Sequence, residues 1–235
     1  MTGAADRSGL RSVLKLAAYP FALGLAVAVL CYLAAGVSLG FFLGPIAAAA
    51  LVVPPMVSGS RDRFAAVVAA GAFTDSIGFA WLIAISTPDV TFMQWLACYV
   101  ILVAFAFALA GTAWLLRRGV GSIASGAITT IAALAWLAWP IWTSPWITAP
   151  IASWMTPAHP PLAINHVLLD LGVWTQQPWM YRHTVLGQDV AYVLPQSIWP
   201  CVIVHALMAA GLAWPARSSR RGPRPPELSP AAEAS

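Results

Sequence analysis

Six stretches of about 20 residues, each nearly free of charge, constrain this chain more than any other feature. They run over residues 16–36, 41–58, 64–86, 92–116, 120–142 and 196–214. A helix rises 1.5 Å per residue, so about 20 residues cross the ~30 Å hydrocarbon core of a bilayer. The pattern therefore predicts an all-α integral membrane protein, a bundle of about six transmembrane helices. Composition agrees, since 60% of residues are hydrophobic and 9% charged, with a mean hydropathy of +0.78. Soluble domains carry roughly 25% charged residues.

The second run is the least regular. Pro45 falls in its first turn, where proline is tolerated, whereas Pro54 and Pro55 near its end predict a kink or a stop. Segment 143–195, between the fifth and sixth runs, is broken by proline, rich in tryptophan and carries three histidines. It is too polar and too interrupted to span.

Orientation follows from the cations, because short cytoplasmic loops are enriched in Lys and Arg. With six crossings, eleven of the twelve fall on one side: residues 1–15 hold Arg7, Arg11 and Lys15, two short links hold Arg61, Arg63, Arg117 and Arg118, and the tail holds four more. Only Arg182 lies opposite. Both termini are thus expected on the cytoplasmic face of the inner membrane, with 143–195 as a long extracytoplasmic loop and 215–235 as a disordered tail. The first run has a basic flank like a secretory signal, but it is long for one and lacks an A-x-A site, so it reads as a retained helix. The bilayer is the first partner implied.

A pI near 9.3 does not imply nucleic acid, because the basic residues punctuate the apolar runs and build no phosphate-tracking surface. Cys31, Cys98 and Cys201 stand singly within apolar stretches, which fits small buried hydrophobes and not a CxxC site. No GxxxxGK[ST], GxSxG or HExxH pattern occurs. The run WLAWPIWTSPW from Trp136 to Trp146 lacks the glycine and the acid of the WGxxWxWD motif that marks haem-handling proteins of cytochrome c assembly, so no family is assigned.

Two polar constellations remain. Asp75 sits about 17 Å into the third run and His205 about 14 Å into the sixth, both near mid-bilayer, where an ionisable group is costly and by default marks an internal polar site. A small-residue stripe of Ala65, Ala69, Ala72, Ser76 and Ala80 flanks Asp75, which should turn the acid toward the bundle. The two are expected to pair, with Thr129 and Thr130 within reach in depth. The second constellation is His159, His166, Asp170, His183 and Asp189 in the outer loop. If Pro161 opens a helix, His166 and Asp170 share one face, four residues apart, above an apolar face of Ile164, Val167, Leu168 and Leu171 that suits an interfacial helix.

A broken, aromatic, weakly charged loop suits binding better than catalysis. The expected function is that of a non-catalytic accessory subunit whose outer loop binds a partner protein, lipid or cofactor. The alternatives are a membrane enzyme or metal or cofactor handler using the loop His/Asp cluster, and a small permease using Asp75. No particular cofactor or metal is implied.

Overall fold

The computed structural model describes residues 3–84, 90–142, 146–168 and 195–212. Every element among them is helical: α1 (Gly3–Ala35), α2 (Leu39–Ser58), α3 (Arg63–Ala84), α4 (Phe92–Val120), α5 (Ser122–Leu137), α6 (Trp139–Trp142), α7 (Ala149–Met155), α8 (Pro160–Val167) and α9 (Trp199–Ala209). Four apolar stretches are long enough to cross a membrane, Val13–Ala35 within α1, Gly40–Ser58 within α2, and the whole of α3 and α4. They mark the chain as a membrane protein. α5 and α9, at 16 and 11 residues, are shorter apolar helices that complete the bundle.

Local chemistry explains most boundaries. α3 begins where the Asp62 carboxyl accepts from the Ala65 amide at 2.8 Å. α4 begins with a capping box, in which the Gln94 amide donates to Thr91 Oγ1 at 3.3 Å and the Thr91 amide donates to Gln94 Oε1 at 2.9 Å. The kink or stop expected at Pro54–Pro55 does not end α2, which stays helical to Ser58. Val53 and Val57, on either side of the prolines, are fully enclosed in the core, and that packing holds the turn whose backbone bonds proline removes.

The fifth run divides where a single helix is expected. α5 ends at Leu137 because Pro140 has no N–H to offer the carbonyl four residues back, and α6 is a separate four-residue turn.

Paired bonds at the two ends show how the helices alternate. At one end Arg117 of α4 donates to the Ser60 carbonyl between α2 and α3, and Arg63 Nη1 donates to the Leu212 carbonyl just beyond α9 at 3.3 Å. At the other end Trp81 Nε1 of α3 donates to the Phe41 carbonyl of α2 at 3.2 Å, and Gln94 Nε2 of α4 to the Val167 carbonyl of α8 at 3.1 Å. α4 lies at the centre, packed by α2, α3, α5, α8 and α9. Apolar side chains such as Tyr19, Leu33, Ile131 and Leu207 remain exposed around the flank, as helices facing lipid require.

α8 opens with Pro160 and Pro161, close to the expected start, but ends at Val167 and is enclosed from Pro160 through Asn165. It is thus a packed element of the core and not a helix laid on an interface. Asp170 and Leu171, expected on its later turns, lie outside the described residues.

Candidate functional site

Asp75 is the thirteenth of the 22 residues of α3, about 18 Å along the helix from Arg63. The stripe beside it packs as expected, with Ala65, Ala69 and Ser76 buried. Asp75 itself is exposed on the outer flank, which corrects the expectation that it faces the bundle interior. Its partner comes from α4: Tyr99 Oη donates to Asp75 Oδ1 at 2.5 Å.

Tyr99 is held there by its surroundings. A Cβ on Gly78 would stand 2.5 Å from the Tyr99 ring, so only glycine at that turn of α3 leaves space for it. Trp95 stacks on Tyr99 with ring centroids 5.5 Å apart and planes 1° from parallel, and Phe92 stacks on Trp95 at 5.2 Å. Trp95 Nε1 is anchored on the Gly78 carbonyl at 3.1 Å. A ladder of three rings thus descends α4 to a carboxyl group at mid-height.

Among the described residues Asp75 and His205 share no bond, because α4 separates their helices and each is satisfied elsewhere. His205 Nδ1–H donates to the Cys201 carbonyl one turn earlier at 2.7 Å, and its ring meets Phe105 of α4 edge-on at 5.3 Å. His205 borders a cavity of about 380 Å³ between α4, α5 and α9, whose walls include Phe105, Thr129, Trp136, Val204 and Met208. The buried Thr129 hydroxyl finds no acceptor among the described residues. Thr74 and Ser125, by contrast, donate back to carbonyls of their own helices at 2.9 to 3.1 Å.

In the loop, His159 is completely buried at the start of α8. Its Nε2–H donates to the Leu137 carbonyl at 3.1 Å, where α5 breaks, and its ring lies edge-on between Trp136 and Trp139 at 5.6 and 5.7 Å. Burial drives its pKa down from the ordinary 6.5 to about 3, against a smaller upward pull from the Leu137 and Trp136 carbonyls. His159 therefore caps the Leu137 carbonyl at the C-terminal end of α5.

His166 is partly buried in the last turn of α8. Asp170, His183 and Asp189 lie outside the described residues. Among the described residues no three His, Cys, Asp or Glu side chains converge as a metal site. The three cysteines are free, Cys98 and Cys201 buried and Cys31 partly so.

Tyr99, Trp95 and Gly78 are the residues that reading the sequence missed. Tyr99 carried a signal, as a polar-tipped side chain in the middle of an apolar run. Comparison of the chain with protein-family models, with curated proteins and with solved structures finds no match.

Proposed function

We propose that this chain is a non-catalytic multi-pass protein of the cytoplasmic membrane, an accessory subunit whose outer segment docks on a partner membrane protein. One observation carries the reading, the way the segment after α6 uses its side chains. Trp146 and Trp154 are 72% and 84% exposed and Ile151 of α7 is exposed as well, while His159 is enclosed and committed to the break in α5. Large apolar side chains held out of the core on α7 and just before it have the make-up of interface anchors. A catalytic or metal-binding histidine needs access that His159 lacks.

In this reading the chain crosses six times, α5 and α9 being the cores of the fifth and sixth crossings, with both termini on the cytoplasmic side. The arginine-rich end of the bundle supports it: Arg63 and Arg117 gather the α2–α3 link and the end of α9.

The test is a photoreactive benzoylphenylalanine in place of Trp154, irradiated in native membranes. A discrete protein adduct is expected. Adducts with lipid alone would make α7 a headgroup anchor and overturn the partner, and stoichiometric metal in the purified protein would favour a metal handler.

A further inference from the structure

The Asp75 carboxyl group stands on a face of α3 that is otherwise apolar. Phe64, Val67, Phe79 and Leu82, at helical spacing to either side, are all exposed, so this is a lipid-type surface interrupted at mid-height by one ionisable group. Such groups are costly in hydrocarbon and ordinarily face a bundle interior or pair with one another. Here the group faces out, and the fold has built around it. Gly78 clears the space for Tyr99, Trp95 stacks on Tyr99, and the Tyr99 hydroxyl reaches Asp75 Oδ1 at 2.5 Å. A phenol donor satisfies one lone pair. Among the described residues the second oxygen, Oδ2, makes no bond.

Among the described residues no Lys or Arg lies at that depth. Of the chain's twelve Lys and Arg, those within the four long helices lie near helix ends: Arg7, Arg11 and Lys15 early in α1, Arg63 as the first residue of α3, and Arg117 and Arg118 in the last turn of α4. A second copy docked symmetrically on this face would place carboxyl against carboxyl. A cation is nonetheless the group that the surroundings suit, because a carboxyl beside the rings of Tyr99 and Trp95 offers both an ion partner and aromatic faces.

We propose that the flank formed by α3 and α4 seats a transmembrane helix of another protein, and that a lysine or arginine at the middle of that helix docks on Asp75 and Tyr99. The inference rests on the accessory-subunit reading but uses a surface apart from α7. Charge selects the partner, and the apolar residues above and below Asp75 pack along it. Interhelical polar contacts in bilayers reach energies that correspond to about tenfold in affinity.

The test uses the full-length protein in phosphatidylcholine vesicles with two synthetic transmembrane peptides, a leucine-rich helix with one central lysine and the same helix with leucine there. Energy transfer between labelled protein and labelled peptide should show the lysine peptide binding about tenfold more tightly. Asp75→Asn, whose amide oxygen can still accept from Tyr99, should abolish the difference, and Asp75→Glu should retain it. Equal binding of the two peptides, or a preference that survives in Asp75→Asn, would overturn the proposal.

In native membranes a photoreactive residue at Phe79 should capture a helix whose sequence has Lys or Arg at mid-span. Capture of a second copy, or of a helix without that cation, also overturns it. A protein adduct at Trp154 with none at Phe79 would sink this inference while leaving the docking role of the outer segment standing.

Discussion

Gly111 of α4 lies directly against the backbone of α9 at Met208. A Cβ on Gly111 would stand 2.7 Å from the Met208 carbonyl oxygen and 3.1 Å from the Ala209 Cα. Both are backbone atoms that cannot swing aside, so the crossing of the central helix and the last helix requires a residue without a side chain.

Gly111→Ala should therefore destabilise the purified protein by about 1 to 3 kcal/mol, the usual range for overpacking a tight contact. Gly119→Ala serves as the control, since nothing lies within 4 Å of its added methyl. Thermal melts in mild detergent compare the two. Equal melting temperatures would mean that α9 does not seat on α4 as described.

His159 predicts a pH dependence. Its ring titrates near 6.5 in an unfolded chain and at about 3 in the fold, so between those values the unfolded chain binds the extra proton. Its contribution to stability should be complete above about pH 6.5 and drain away as pH falls toward 3. His159→Gln, whose amide can still donate to the Leu137 carbonyl, should flatten that slope in melts between pH 7 and pH 4. An unchanged slope would place the titration elsewhere.

Thr129→Val should cost nothing and is expected to stabilise by up to about 1 kcal/mol, because it removes a buried hydroxyl that has no acceptor among the described residues. A loss above about 1 kcal/mol in the same melts would show that the hydroxyl is used, with a molecule in the adjoining cavity as the acceptor to look for.

How much of this was legible in advance depends on the kind of signal. The extents of α2, α3 and α4 were readable because each is a count of apolar residues, and α4 begins at Phe92 as its sequence indicates, whereas the fifth and sixth runs form the shorter α5 and α9. The Thr91–Gln94 capping box was also there to be used. The rotation of each helix was not readable. α3 is apolar nearly all the way round, so its sequence does not say which side meets α4, and Asp75 could equally have pointed inward.

The choice of partners was hidden for a second reason. His205 is satisfied by the Cys201 carbonyl within its own helix, so matching depth with Asp75 implied no contact. His159 looked like a ligand because histidine in a loop often is one. Its real role is to bond the Leu137 carbonyl where α5 ends, 22 residues earlier, a long-range contact that no local pattern announces.

Topology gives the fourth prediction. With the native cysteines replaced, single cysteines at Ser60 and Ser122 should be shielded from an impermeant thiol reagent in intact cells, and one at Ser153 should react. Ser60 and Ser122 flank the helix ends gathered by Arg117, whereas Ser153 is exposed on α7. Labelling at Ser60 without labelling at Ser153 would invert the molecule.

The bond from Arg63 to the Leu212 carbonyl joins residues 149 apart in sequence. A chain threaded into the membrane from its N-terminus has α1 to α4 in place long before α9 leaves the ribosome. Until then Arg63 lacks this carbonyl and the notch at Gly111 stands open to lipid. α9, the last of the described helices, therefore acts as a latch that closes contacts the earlier helices leave open.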